Sequence, residues 1–209
     1  WVIDNRPGGA NLIAAEACIK APADGYTLCL LSTTISSFNP HLFDKLPYDP
    51  ERDFRPVARL YAQIEGLIAS RAFPANSLKE IPAALAARPS GFNFGTLGNG
   101  TGPDIQRQWL AEGWRGNFVG IPYKGGNLVI TALVAGEIDI GWICTYNAIG
   151  QIKAGKVKIL ALGGSKRSPL LPEVPTIEEA GLGVQPLRAW VGLGGPAGLP
   201  EVVVRRLNG

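Results

Sequence analysis

Phe92-Asn93-Phe94-Gly95-Thr96-Leu97-Gly98-Asn99-Gly100-Thr101-Gly102-Pro103 runs from an apolar strand through glycines into a helix that carries Ile105, Trp109 and Leu110 on one face. Apolar residues at that spacing mark an amphipathic helix. The glycines permit left-handed backbone in the turn. Free N–H groups at a helix start, with the helix dipole behind them, can bind an anion. The same device recurs downstream. Phe118-Val119-Gly120-Ile121 reads as a strand, Pro122-Tyr123-Lys124-Gly125-Gly126 leads out of it, and Ile130, Leu133 and Val134 pattern the next helix. Ile138-Asp139-Ile140-Gly141-Trp142 is a third strand, followed by a helix through Ala154 and a strand over 158–162. This alternation predicts an α/β organisation with a largely parallel sheet. The stretch from Gly95 to Gly102 lacks the Lys-Ser/Thr of a P-loop, and no acidic residue about 20 positions on completes a dinucleotide fingerprint.

Toward the amino end, Val2-Ile3 reads as the end of a strand, and Arg6-Pro7-Gly8-Gly9 turns into a helix over 10–20. Residues 26–31 form a near-continuous apolar strand, as for one buried on both faces, and Ser32-Thr33-Thr34 gives it a hydroxyl-rich end. Lys45-Leu46-Pro47-Tyr48-Asp49-Pro50 is loop, because each proline biases the residue before it to extended geometry. Strands follow near 55–61 and 65–70. Ser77 and Glu80 make a capping-box pattern for a helix through Arg88, with Pro82 tolerated near its start. Residues 163–175 form a basic, proline-bounded loop, 190–194 a late strand and 201–207 the beginning of a helix. Ligands of open α/β sheets bind outside the carboxyl ends of the strands. Three donor-rich, weakly charged strand ends suit a small carboxylate better than a polyphosphate.

Composition narrows the function classes. The 209 residues are 46% hydrophobic and 18% charged, enough to bury a core, and 27 glycines with 17 prolines predict many tight turns. The net charge of +3 is small and its basic residues are scattered, so no nucleic-acid surface is expected. No apolar run approaches the roughly 18–20 residues of a membrane span, so the chain is not expected to be membrane-embedded. His41 is the single histidine; Ser36, Ser37 and Asp44 lie near it, without a nucleophile elbow. Carboxylates are spread out, so no metal site is expected, and His41, Lys124 and Asp104 form no recognisable reactive set, so neither a cofactor nor enzymatic activity is expected. Cys18, Cys29 and Cys144 lack CxxC spacing. Cys18 and Cys29 either pack as small hydrophobes or bridge in an oxidising compartment if their Cβ atoms meet. The chain has no methionine, opens at Trp1-Val2-Ile3-Asp4 and stops at Leu207-Asn208-Gly209 as a helix begins. It reads as a fragment, in which a missing signal peptide means little.

The order of motifs carries a resemblance. Asp4-Asn5-Arg6-Pro7-Gly8-Gly9-Ala10-Asn11, Ala23-Asp24-Gly25-Tyr26-Thr27-Leu28, Asn39-Pro40, Leu46-Pro47-Tyr48-Asp49-Pro50 and Asp53-Phe54 open the series. Gly98-Asn99-Gly100-Thr101, Pro122-Tyr123-Lys124-Gly125, Ala135-Gly136-Glu137-Ile138-Asp139, Ile152-Lys153-Ala154-Gly155-Lys156 and Lys166-Arg167-Ser168-Pro169 continue it. Pro172-Glu173-Val174-Pro175-Thr176, Glu179-Ala180-Gly181, Gly192-Leu193 and Pro196-Ala197-Gly198 close it. Together they resemble the substrate-binding receptors of tripartite tricarboxylate transporters, the Bug-type periplasmic solute-binding proteins.

The resemblance implies an α/β, two-domain type II periplasmic-binding-protein-like fold with a hinge of crossing strands near 67–70 and 189–194. Residues 1–68 would form domain 1, 69–189 domain 2, and 190–209 the return to domain 1, with a first strand and loop and the last helices of the family missing. It implies a periplasmic receptor that binds a small organic, carboxylate-bearing compound in an interdomain cleft and delivers it to a membrane permease of the tripartite type. The alternative is a ligand-sensing receptor for a signalling partner. The implied ligand-binding set is Ser32, Thr33, Thr34, Gly98, Asn99, Gly100, Thr101, Asp104, Tyr123, Lys124, Gly125 and Tyr146. Two departures stand out. Asp104 occupies a site where relatives often carry histidine; it would repel an anion unless it points away or receives a cation. Ile143-Cys144-Thr145-Tyr146-Asn147 lacks an aspartate common there. Both point to an atypical ligand: an amino acid, an amide, an aromatic acid or something less anionic than citrate.

Overall fold

The structure is a computed structural model that describes residues 2–183 and 187–209. In chain order the first elements are α1 (Leu12–Ile19), β1 (Cys29–Ser32), α2 (Asn39–Leu42), β2 (Phe54–Ala62), β3 (Glu65–Ser70) and α3 (Ile81–Ala87). Then come β4 (Phe92–Thr96), α4 (Gly102–Trp114), β5 (Phe118–Pro122), α5 (Gly126–Ala135), β6 (Ile140–Cys144), α6 (Thr145–Lys153) and β7 (Val157–Leu162). The last two are β8 (Trp190–Pro196) and α7 (Glu201–Asn208). The chain divides into two compact units, Trp1–Gln63 with Ala189–Gly209, and Ile64–Arg188.

The first unit is built on a three-stranded sheet of order β1-β8-β2, with β8 antiparallel to both neighbours. Its centre must be small. A Cβ at Gly194 would lie 2.5 Å from a Leu31 methyl and 3.0 Å from the Arg55 carbonyl. Ala15, Cys18, Leu31, Ile35, Tyr48 and Phe54 form the core on one side. A smaller cluster of Val57, Leu199 and Val204 takes in α7. Cys18 and Cys29 are joined by a disulfide that ties α1 to β1. The apolar strand expected over 26–31 is only Cys29–Ser32, and it is an edge strand rather than one buried on both faces. Tyr26 and Leu30 are 93% and 64% exposed.

The second unit carries a five-stranded sheet of order β5-β4-β6-β3-β7. β4 is parallel to β5 and to β6, whereas β3 runs antiparallel to both β6 and β7. The parallel pairing predicted from strand–helix alternation is therefore confined to β5, β4 and β6. Strand direction in the first unit depends on β8, which arrives from far along the chain, so local alternation cannot report it. Side chains alternate across the second sheet as the period of a strand requires. Leu67, Phe92, Phe94 and Trp142 pack with Leu110 of α4 and Ile81 and Leu85 of α3 on one face. Ile68 and Ile143 pack with Val129, Ile130 and Leu133 of α5 on the other. Each such large side chain contributes about 1.5–3 kcal/mol when fully buried.

The helix expected from Ser77 to Arg88 is split into a 3-10 turn over Leu78–Glu80 and α3. Pro82 falls in the first turn of α3, where it lacks no needed N–H. Glu80 accepts hydrogen bonds from the Ser77 hydroxyl at 2.8 Å and the Asn76 N–H at 2.9 Å. The box thus closes on Asn76 instead of on the cap residue itself.

Candidate functional site

Parallel pairing brings the carboxyl ends of β4, β5 and β6 to one edge of the second sheet, and each strand feeds directly into a helix there. The loop from β4 to α4 holds Gly98, Asn99, Gly100 and Thr101; the loop from β5 to α5 holds Tyr123, Lys124 and Gly125; Tyr146 lies in the first turn of α6. All eight sequence-predicted residues therefore sit on one edge of this unit, together with Asp104 in the first turn of α4. The Tyr123 N–H donates to the Thr96 carbonyl at 2.9 Å, so the first two loops are tied together at their roots.

Gly98 and Gly100 have φ of +106° and +73°, which glycine adopts without the Cβ strain of other residues. The loop satisfies many of its own donors. The Gly98 N–H reaches Thr96 Oγ1, the Thr101 N–H and hydroxyl both reach the Gly98 carbonyl, and the Gly100 N–H reaches Asp104 Oδ2 at 3.2 Å. The outward-available backbone donors are then those of Asn99 and Gly102, with Gly126 and Asn127 at the start of α5. None of these four has a partner among the described residues. Gly102, Gly126 and Asn127 belong to the two helix-start stretches read from the sequence but not to the implied ligand-binding set; their signal is their place in the first turn, where N–H groups have no carbonyl four residues back.

Asp104 is 4% exposed and its carboxylate is fully engaged. Arg107 Nε and Nη2 both lie 2.9 Å from Oδ1, Gln108 Nε2 lies 3.0 Å from Oδ2, and the Gly100 N–H completes the set. Arg107 also donates to the Phe118 carbonyl at 2.8 Å. Of the two alternatives open in the sequence, the structure shows the cationic partner. The negative charge is matched inside α4, and the carboxylate fixes the shape of the glycine loop.

A group absent from the sequence-derived set lies at the same edge. Because β3 is antiparallel, its first residue, Glu65, stands opposite Cys144 at the carboxyl end of β6. Its Oε2 accepts from the buried Trp142 indole N–H at 2.8 Å. Burial pushes the carboxyl up to about 7, against the opposing effect of the Trp142 hydrogen bond. The Cys144 thiol is raised to about 12 by burial first and by Glu65 second, so it stays neutral. One acid heading the apolar run Gly66-Leu67-Ile68-Ala69 was the available signal in the sequence.

In the first unit, Ser32 ends β1 and Thr34 opens a π-helical turn over Thr34–Phe38. Thr33 is 8% exposed, and its hydroxyl accepts from the Trp190 N–H at 2.9 Å. Ser32 Oγ accepts from Asn11 Nδ2 at 3.4 Å. Gly8, Gly9, Ala10 and Asn11 all have positive φ, and for Ala10 and Asn11, at +50° and +68°, that conformation costs energy. The strained loop is held by Asn39, whose amide donates to the Ala10 carbonyl at 3.0 Å and the Tyr48 hydroxyl at 2.9 Å; Tyr48 in turn donates to the Ile35 carbonyl. Retained strain of this kind clusters at functional sites. An apolar hollow of about 290 Å³ in this unit is lined by Leu31, Ile35, Pro56 and Trp190 and includes none of Ser32, Thr33 or Thr34. Ser36 and Arg59 also line it. Among the described residues no cluster of three or more metal-ligating side chains occurs, and no helix is long and apolar enough to cross a membrane.

Comparison with known proteins gives the family and the fold. A sequence model described as tripartite tricarboxylate transporter family receptor matches residues 1–209. A UPF0065 protein of Bordetella pertussis is 30% identical over 207 residues, 99% of this chain and 64% of that protein. The chain thus spans less than two thirds of the length of this curated relative. A solved R. palustris structure described with adipate has 29% identity and a TM-score of 0.93, covering 100% of this chain and 70% of that one. MatC from Rhodopseudomonas palustris, described with bound malate, has 33% identity and a TM-score of 0.85, covering 96% of this chain and 68% of that one. The two-sheet α/β architecture is that of periplasmic solute-binding proteins.

Proposed function

Since the chain belongs to the tripartite tricarboxylate transporter receptor family, we propose that it is the ligand-binding part of a periplasmic receptor. It captures a small carboxylate-bearing compound in an interdomain cleft and delivers it to a permease of the tripartite type. The observation that carries this reading is the set of outward backbone donors at Asn99, Gly102, Gly126 and Asn127, gathered at the starts of two helices on one sheet edge. A carboxylate collects charge-assisted hydrogen bonds from such donors at about 1.5–3 kcal/mol each, and the helix dipoles add to them. Lys124, exposed beside these donors, adds a cation. Asp104 does not oppose the anion, because Arg107 neutralises it.

The two compact units are read as the two domains, and the segments joining them as the hinge. Ser32, Thr33, Thr34 and the strained loop at residues 8–11 supply the first domain's share of the site; Gly98 to Thr101, Tyr123 to Gly125 and Tyr146 supply the second's. The Cys18–Cys29 disulfide supports a periplasmic location, since such bonds persist in oxidising compartments. No chemical step is assigned: His41 is exposed on α2 and takes no part in a nucleophile–base pair.

Thermal unfolding of the full-length protein against mono-, di- and tricarboxylates, amino acids and uncharged analogues tests the reading. Adipate or malate, which the two solved relatives are described with, is expected to raise the melting temperature. A ligand at 100 times its dissociation constant stabilises by about 2.7 kcal/mol. A response confined to uncharged compounds would overturn the carboxylate assignment.

A further inference from the structure

Glu65 is a partly accessible carboxyl fixed at the edge where the ligand loops gather. Its backbone is locked on both sides: Cys144 stands opposite it on β6, and its carbonyl accepts from the Gly163 N–H at 2.7 Å, at the end of β7. One carboxyl oxygen is fixed by the Trp142 indole, and the side chain still keeps partial access to solvent. Among the described residues no lysine or arginine forms an ion pair with it.

The elements packed around β3 offer no compensating charge. From β6 comes the neutral Cys144 thiol. On β7 the ammonium of Lys158 is bound at the far end of the strand, to the Phe73 carbonyl and Asn76 Oδ1. α5 contains no charged residue, and the only one in α6 is Lys153 at its last position. On the loop after β7, Lys166 is exposed, and Arg167 is paired with Glu179. α4 packs on the face that holds Trp142, and its Arg107 is taken by Asp104. That helix adds a second polar demand: Gln106 is fully buried one turn before Leu110, and both its amide atoms lack a partner among the described residues.

We propose that Glu65 is a specificity-determining residue whose carboxyl carries a proton in the complex and donates an O–H hydrogen bond to a carboxylate of the ligand, so that capture takes up one proton from solvent. The inference rests on the carboxylate reading above. A charged Glu65 beside an anionic ligand would suffer like-charge repulsion in a desolvated place, and the proton removes it. Burial has already brought the free carboxyl to about 7, so the proton is available at little cost near neutrality. The site thereby prefers a dicarboxylate, one end held by backbone N–H groups and the other by Glu65, to a ligand with an ammonium group at that end.

The test is calorimetric titration of the full-length protein and its Glu65→Gln variant with adipate and with malate, from about pH 6.5 to about 8.5, in buffers of different ionisation enthalpy. The wild type is expected to lose affinity as pH rises, approaching tenfold per pH unit at the alkaline end, and to take up close to one proton there. Glu65→Gln retains an acceptor for Trp142 and an N–H donor for the ligand; its affinity is expected to be flat with pH and its proton uptake to vanish. Binding by the wild type without proton uptake, or equal slopes in the two proteins, overturns the proposal and leaves the carboxylate reading standing. Absence of binding to adipate, malate and every other carboxylate at all pH values overturns that reading, and this inference falls with it. The proton count on the wild type stands even if the variant fails to fold.

Discussion

Asp104 holds the Arg107 and Gln108 side chains and the Gly100 N–H on one buried carboxylate, and through them it sets the conformation of the loop that presents Asn99. Asp104→Asn keeps the size but removes the charge that matches Arg107. It is expected to lower stability by about 1–3 kcal/mol, measured by urea unfolding, and to weaken carboxylate binding in parallel as the loop loosens. Tighter binding of anions by this variant would show that the charge of Asp104 reaches the ligand. The partner was legible in part: Arg107 lies three residues on, a neighbouring position on a helix. Glu65 was not legible as a neighbour of the glycine loops, because its place at that edge follows from the antiparallel direction of β3, and no local pattern encodes that direction.

At the scale of elements, β4 is packed closely against α5, whereas α4 has open space beside it near its carboxyl end. A Cβ at Gly95 would lie 2.6 Å from Ile138 and Val129 side chains, whereas one at Gly113 would meet nothing within 4 Å. Gly95→Ala is expected to destabilise by about 1–3 kcal/mol through overpacking against α5. Gly113→Ala is expected to stabilise by about 0.5–1 kcal/mol, since alanine gives up less backbone freedom in a helix. Chemical denaturation of both variants checks the signs, and the same sign in both would refute the packing argument. The strand–loop–helix elements of the second unit were readable because each carries its own period and its own glycines. The short β1 was overread, since an apolar run is the same string whether it lies at a sheet edge or inside.

For the whole molecule, the disulfide lies in one unit only. Reduction of Cys18–Cys29, eleven residues apart, is expected to cost about 2–3 kcal/mol by restoring freedom to the unfolded chain. Hydrogen exchange should then quicken at α1 and β1 while the sheet of the second unit keeps its protection. Uniform loss of protection across both sheets would mean that the units unfold as one. By itself the sequence determined the α/β class, the helices and strands of the second unit, and the glycine loops that end its strands, because these depend on period, turn chemistry and capping over a few residues. It also carried, in the order of its motifs, the family. Only the tertiary structure decided the pairing of Cys18 with Cys29, the direction of β3, the engagement of Asp104 and the arrival of Glu65 beside the loops. Each of these depends on which distant segments meet, and the free energy of that meeting is shared across a whole core.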